Sequence, residues 1–361
     1  MGNVAWTDEE LERLKRGVED GETDAEIAAE LPARTAAGVR SKADELGLPP
    51  ASRRRTMVLN RTVAEGPGHT ILTADLDPEE PIEELKDWAI KRTSRACDVA
   101  AVQSYAMAQI VTDQPIAISF ISDQHIATNG AVDLKQMYAD AELIRDTPGV
   151  WAMLGGDGID NAIKHRSALV NSGTKPSDDW RLFNNYMAVM GYKTLAVISG
   201  NHCNWSVQFA GIDLVAHLAK MNKVHYSPDH VIMNLRLDGA AGTQDYTIAM
   251  RHKYRYHSNF NLGHAVKRMW EQGDDDFDVG CICHNHPAGG HVESFTKHKK
   301  LRWAVRPGSY QVQTGYSRGE GYPLSGQTCP TVIFHPFERR MDAFPNLRQA
   351  IDTLNALRAA P

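Results

Sequence analysis

The apolar positions of this chain fall into two regimes. In the first fifty residues they recur at helical spacing. Leu11, Leu14 and Val18 form one stripe, Ile27, Ala28 and Leu31 a second, and Val39, Ala43 and Leu46 a third. Thr7 with Glu10 and Thr23 with Glu26 are spaced as capping boxes, and Trp6 and Leu11 are placed to form a hydrophobic staple. Pro32 ends the second helix, Thr35 caps a third, and Gly47 and Pro49-Pro50 stop it. The pattern predicts a small all-α domain of three helices over residues 1–48. Residues 49–81 are rich in Pro, Gly and charge and read as a linker, with one short strand at Thr70–Thr73. Pro81 then opens a helical stretch from Ile82 to Ile110, carried by Ile82, Leu85, Trp88 and Ala89 and by Val99, Val102, Tyr105 and Ala106. Its expected role is to brace the domain that follows, with a homodimer contact as the alternative.

Past residue 115 the regime changes to short apolar runs with β-branched residues, which read as buried strands. The runs are Ile116–Ile121, Val150–Leu154, Leu195–Ile198, Tyr246–Met250 and Val279–Ile282. Arg302–Arg306 reads as a strand entering a Pro-Gly-Ser turn, Thr331–Phe334 as a last strand and Asn346–Arg358 as a C-terminal helix. Residues 82–361 are therefore expected to form one α/β domain.

Each of the first five runs leads into a polar motif: Asp123-Gln-His125, Gly156-Asp157-Gly-Ile-Asp160, Gly200-Asn201-His202, His252 and His284-Asn-His286. Ligands at the carboxyl ends of buried strands converge on one edge of a sheet. Asp123, His125, Asp157, Asn201, His252, His284 and His286 offer seven oxygen and imidazole donors, too many for one tetrahedral ion and suited to two. Such donors favour Mn, Fe, Ni, Co or Zn over Ca. Asp157 is the choice for a shared ligand. Two ions roughly 3.5–4 Å apart clamp an in-line phosphoryl displacement and lower the pKa of a water between them. His165, His257, His264, His291 and His298 read as surface or core residues. His252 is preferred to His257 because it follows its apolar run directly.

The series resembles the DxH, GDxxD, GNH, H and GHxH blocks of the calcineurin-like metallophosphoesterase superfamily, over roughly residues 115–335. The resemblance implies a β-sandwich flanked by helices. It implies that Asp123, His125, Asp157 and His286 hold one metal and that Asp157, Asn201, His252 and His284 hold the other. Two divalent transition-metal ions per chain follow, Mn2+ foremost, with Fe, Ni, Co, Zn or Mg as alternatives. It also implies that His202 lies beside the phosphate and assists the leaving oxygen. Two positions depart from the pattern: Cys203 stands where an acidic residue often follows GNH, and Cys283 stands where Gly precedes the last His pair.

Composition narrows the class further. No apolar run approaches the roughly 18 residues a membrane helix needs, and the N-terminal segment has neither the basic nor the apolar region of a signal peptide. Five cysteines without a disulfide framework suit a reducing compartment, so the expected location is cytoplasmic. Cys281-Ile-Cys283 is a C-x-C pair whose alternation fits a strand better than a thiolate metal site.

The N-terminal helices resemble a Myb/SANT-like helix-turn-helix module, on Trp6, Ile27–Leu31 and Arg34 through Leu48. Residues 1–50 carry twelve acidic and six basic side chains, a net of −6, equal to the net charge of the whole chain. An acidic domain lacks the broad footprint of a non-specific DNA binder. Yet Arg34, Arg40 and Lys42 lie on or beside the third helix, the element that enters the major groove, and Arg53, Arg54 and Arg55 follow as an arm for phosphates. The expected partner is DNA, and the alternative is a protein. Together these features predict a two-metal phosphodiesterase, foremost a DNA nuclease. A small-substrate phosphatase or nucleotide phosphodiesterase with a protein-binding module, or a non-catalytic DNA-binding factor, are the alternatives. Arg251, Lys253 and Arg255 beside His252 are further candidates for polyanion contact.

Overall fold

The computed structural model describes residues 5–20, 22–48, 61–66, 69–73, 82–83, 86–87, 90–91, 104–127, 131–161, 163, 175–272, 276–287, 289–297, 299–312 and 329–359. The chain divides into two compact units, Met1–Thr93 and Ser94–Pro361.

The first unit opens with three helices, α1 (Asp8–Glu19), α2 (Asp24–Ala29) and α3 (Ala36–Glu45). Both capping boxes form: Thr7 and Thr23 accept from the N3 amides, while Glu10 and Glu26 reach back to the cap amides. Leu14, Val18, Ile27, Leu31, Val39 and Ala43 make a core of their own, with Trp6 packed against it. Two strands, β1 (Arg61–Gly66) and β2 (His69–Thr73), pair antiparallel, so the expected strand at Thr70–Thr73 has a partner within the expected linker. Ile82, Glu83, Lys86, Asp87, Ile90 and Lys91 are helical.

The expected helix does not run on to Ile110. Tyr105–Val111 is a strand, β3, lying parallel to a later strand at the edge of a sheet. Ala106, Ala108 and Ile110 pack inward, while Tyr105, Met107 and Val111 are exposed. That alternation has period two, and the small inward alanines mask it.

The second unit holds two six-stranded sheets. The first has the order β14-β13-β4-β5-β6-β7. Here β4 (Ile116–Ile121), β5 (Val150–Leu154), β6 (Thr194–Ile198) and β7 (His225–Ser227) run parallel, while β13 (Thr331–Phe334) is antiparallel to both β4 and β14 (Met341–Phe344). The other sheet has the order β11-β12-β10-β9-β8-β3. It comprises β8 (His230–Gly239), β9 (Gly242–Arg251), β10 (Val279–Ile282), β11 (His291–Lys297) and β12 (Lys300–Arg306), with β10 parallel to its neighbours β9 and β12.

Every residue of β4 is buried, which requires cover on both faces. Ile116, Ile118 and Phe120 face the other sheet and meet Val231, Met233, Leu235, Tyr246, Ile248 and Met250. Ala117 and Ile121 face helices α4 (Leu134–Asp146), α5 (Pro176–Met190), α7 (Leu214–Asn222) and α9 (Leu347–Ala359) through Ile144, Phe183, Met187, Ala219 and Leu354. A short α6 (Asn204–Ala210) precedes α7, and α8 (His264–Gln272) covers the far face of the second sheet through Ala265, Val266 and Met269. The result is a two-sheet α/β sandwich flanked by helices, with the strands expected from the apolar runs and the layering that the resemblance implies. No described helix is long and apolar enough to cross a membrane.

Candidate metal centre

Each of the five motifs sits just past the end of its strand: Asp123 and His125 after β4, Asp157 and Asp160 after β5, Asn201 and His202 after β6, His252 after β9, and His284 and His286 after β10. The backbone turns sharply there. Asp123, His125, Asp157, Asn161 and His284 adopt φ of 53°, 46°, 49°, 45° and 72°. A non-glycine residue at such φ is uncommon and costs energy, and such residues concentrate at functional sites. These five are most of the eight such residues described. The first two loops hold each other: the amides of Asp123, His125 and Ile126 donate to the carbonyls of Gly156, Asp157 and Gly158, each at 3.0 Å. Glycine is required at 200, where a Cβ would collide with the Asp157 carboxylate.

Among the described residues the donors fall into three groups: one is His125–Asp160–His202, and two are built from the expected ligands. In the first of these two, His286 Nε2 lies 3.2 Å from Asp123 Oδ1 and 3.1 Å from His125 Nε2. In the second, His252 Nε2 lies 3.1 Å from both Asp157 Oδ2 and Asn201 Oδ1, and His284 completes the set. Within the triads Asp123–His125–His286 and Asp157–His252–His284, the ligand atoms are all within 4.8 Å of one another. Asp157 belongs to the second group and reaches the first through its charge, which acts on His125 and His286.

The donor chemistry fits a cation. His252 Nδ1 faces the Gly155 carbonyl at 2.8 Å, and a carbonyl only accepts, so Nδ1 carries the hydrogen. The lone pair of a neutral His252 then sits on Nε2, aimed at two oxygens that also only accept. Either a proton or a cation must lie among them. This is the arrangement in which a ligand's distal ring nitrogen is fixed by a carbonyl. Burial opposes ionisation of Asp123, but His286, His252 and His125 hold its carboxyl well below the usual range. Burial likewise opposes charge on His252, yet Asp157 and Asp123 raise it to about 10. Burial, then the charge of His252, lowers His284 to about 4, leaving a neutral imidazole. The two clusters suggest a divalent-metal site.

His202 adjoins both groups, by its ring the first and by its backbone the second. Its amide donates to Asp157 Oδ1 at 2.8 Å, and its ring meets that of His125 edge-on at 4.7 Å. Its Nδ1 donates to the Asp160 carbonyl at 2.7 Å, with the Asp160 carboxylate 3.5 Å away. Trp205 covers the ring at 4.2 Å, and Asn161 Nδ2 holds the His202 carbonyl at 2.7 Å. Nε2 is therefore the nitrogen left for a reacting group. Burial lowers the pKa of His202, but Asp160 and Asp157 outweigh it and the net shift is upward.

The geometry also accounts for both departures from the family pattern. Cys203 is buried in the helix-side core and its thiol is pushed up to about 12 by burial, so it carries no charge toward His202. Asp160 takes the orienting place instead. The motif includes Asp160, but no role follows from sequence because its partner is 42 residues away. Cys283 Sγ lies against Gly155 and 3.9 Å from Cys281 Sγ. Neither cysteine belongs to a metal-type group among the described residues.

The Pro-Gly-Ser turn returns to the centre: Ser309 Oγ donates to the Asp123 carbonyl at 2.6 Å. His257 approaches His284, with ring centroids 6.2 Å apart, but joins neither group, whereas His252 does. His165 and His298 lie outside the described residues, as do Arg53, Arg54 and Arg55.

On the N-terminal module, Arg34 is not placed for a phosphate. It forms a two-pronged pair with Glu10 at 2.9 and 2.7 Å, donates to the Ala5 carbonyl, and lies 4.5 Å over Trp6. The guanidinium staples α1 to the turn before α3. Arg40 is exposed and pairs with Asp24, and Lys42 pairs with Glu45.

No family model matches the chain, and the comparison with curated proteins found no match. Solved structures similar to it include protein TT1561 of Thermus thermophilus, at 12% identity and a TM-score of 0.35, covering 64% of this chain and 98% of that one. The calcineurin-like phosphoesterase YfkN from Bacillus subtilis has 12% identity and a TM-score of 0.35 over 68% of this chain and 100% of that one. A cold-active protein-tyrosine phosphatase from a Shewanella species has 11% identity and a TM-score of 0.27 over 67% of this chain and 84% of that one. At these scores the likenesses bear no weight, and the geometry of the centre carries the reading.

Proposed function

We propose that this chain is a two-metal phosphodiesterase of the calcineurin-like metallophosphoesterase type, acting on nucleic acid as a nuclease. The observation that supports it is the presence of two donor groups with one oriented imidazole, His202, adjoining them. Asp123, His125 and His286 would hold one ion, and Asn201, His252 and His284 the other, with Asp157 as the proposed shared ligand. When bound, two divalent ions neutralise phosphoryl oxygens and lower the pKa of water; Mn2+ is our choice among Mn, Fe, Ni, Co, Zn and Mg.

The chain's own residues do the rest. Asp160 fixes the His202 tautomer and favours its protonated form. Nε2 of His202 then offers a proton to the departing ester oxygen, which converts a poor leaving group into an alcohol. Asn161, through the His202 carbonyl, and Trp205, against the ring, keep the imidazole in place. The nucleic-acid assignment rests on the helix-turn-helix likeness of the N-terminal module and on the basic residues beside His252. A second reading draws on the pinning of Arg34: the module docks a protein, and the catalytic unit hydrolyses a small phosphoester.

The decisive experiment is a metal-supplemented digest of labelled single- and double-stranded DNA and RNA, with bis-p-nitrophenyl phosphate in parallel. Elemental analysis of active protein should show about two transition-metal ions per chain, and chelation should abolish diester cleavage. Asp157→Ala should lower both ion content and activity. Active protein holding no more than one ion would overturn the dinuclear reading.

A further inference from the structure

The segment that follows His252 is unlike the rest of the chain. From Arg251 to Arg268 there are five basic residues and no acidic one, in a protein of net charge −6. Aromatic side chains interleave with them: Tyr254, Tyr256 and Phe260. Phe260 is fully exposed, at 103% of its reference area, and Tyr256 is 41% exposed. A free phenyl ring in water gains nothing for the fold, because the hydrophobic effect rewards only its burial.

Tyr256 is held rather than loose. It adopts φ 70°, a costly conformation for a bulky residue, with Arg255 5.2 Å and Arg268 5.1 Å from its ring. The segment is tied down at several points. His252 anchors its start on the Gly155 carbonyl. His257 lies 6.2 Å from His284, bringing the middle back to the metal centre. The buried Arg306 donates to the Leu262 carbonyl at 3.1 Å near its end. Lys267 and Arg268 are neutralised by Glu293 and Glu271. Lys253 and Arg255 are exposed and carry no ion pair among the described residues.

One fully exposed aromatic ring, Phe260, with two exposed cations that carry no ion pair among the described residues, matches one ligand chemistry, a strand whose phosphates and unstacked bases are both accessible. Every base has a π-face, but a duplex offers it only at an end. We infer that the segment 253–260 is a stacking platform for an unpaired nucleotide beside the metal centre, with Phe260 taking the base and Lys253 and Arg255 the flanking phosphates. It makes single-stranded nucleic acid the preferred substrate. This rests on the phosphodiesterase reading for its consequence in cleavage, but its binding half can be tested alone.

The test uses the full chain, and Phe260→Ala is safe for folding because the ring touches solvent. Fluorescence anisotropy under chelation measures binding of a short labelled oligothymidylate and of a blunt duplex. Phe260→Ala should weaken the oligothymidylate about tenfold, within the range base stacking contributes, and change the duplex little. Phe260→Trp should restore binding. Lys253→Ala with Arg255→Ala should weaken both and flatten the salt dependence. Equal loss on the oligothymidylate and the duplex, or no loss, would overturn the inference. If the oligonucleotide binds through Phe260 but no nucleic acid is cleaved, the nuclease reading fails and the platform stands. Cleavage of nucleic acid with no role for Phe260 is the reverse result.

Discussion

His202 and Asp160 show how two side chains divide one task. The His202 ring lies against His125, while the Asp160 carbonyl accepts its Nδ1 hydrogen. Removing the imidazole should remove proton donation but not metal binding. His202→Ala is expected to keep both ions and lose roughly 10²–10⁴-fold in turnover of an alkyl diester, the usual weight of a general acid. The loss should shrink for a nitrophenyl leaving group, which needs no proton. Parallel metal analysis and kinetics check this, and a fall in ion content would make His202 a ligand instead. Asp160→Asn should give a smaller loss, because its backbone carbonyl still fixes the tautomer.

At the scale of elements, much of this architecture can be read from the chain. Ile116–Ile121 is apolar at almost every position because it is buried on both faces, so it announces a central strand. The motifs after such strands are readable as donors because parallel strands share an edge. Tyr105–Val111 is not readable as a strand: Tyr105 and Ala106 also continue a helical spacing from Val99 and Val102, and only the partner β8 decides the period. The strand β8 itself shows its alternation, Met233, Leu235 and Leu237 against Asn234 and Arg236, only once its pairing is known. Roles set by distant contacts, such as Asp160 on His202 or Arg34 on Glu10, leave no local pattern.

The Arg34 pair makes a prediction for α1. Arg34 and the capping amide of Thr7 hold Glu10 down, from 4.5 to about 2. A carboxyl whose folded pKa is depressed contributes stability that is fully present above its unfolded value and is lost as pH falls through the folded one. The wild-type helical module should therefore lose stability as pH drops from about 4.5 to about 2. Arg34→Ala should lower its thermal midpoint by a few degrees at neutral pH, and the gap to wild type should close over that same acid window. Circular dichroism melts across pH check this. A gap independent of pH would mean that Arg34 acts by covering Trp6 rather than by pairing with Glu10.

At the scale of the whole molecule, the chain presents two candidate handles for nucleic acid. The module holds the entire net charge of −6 in its first fifty residues, and its cations on or beside α3 are tied to Glu10, Asp24 and Glu45. The segment after His252, proposed above as a stacking platform, is basic and aromatic and belongs to the second unit. The two would differ in what they recognise: the third helix of a helix-turn-helix suits a duplex groove, whereas an exposed aromatic ring suits unpaired bases. Deleting residues 1–55 leaves every proposed metal donor in place, so turnover of a small diester should survive nearly unchanged. Affinity for long duplex DNA should fall, through loss of Arg40, Lys42 and Arg53–Arg55. Each lost phosphate contact lowers the salt slope by about 0.9, so losing these five cations should reduce the slope by up to about 4.5. Short single strands should bind the truncated and full-length proteins alike. Duplex affinity and salt slope unchanged by truncation would assign the module to a protein partner, and the platform would then be the nucleic-acid handle of the chain.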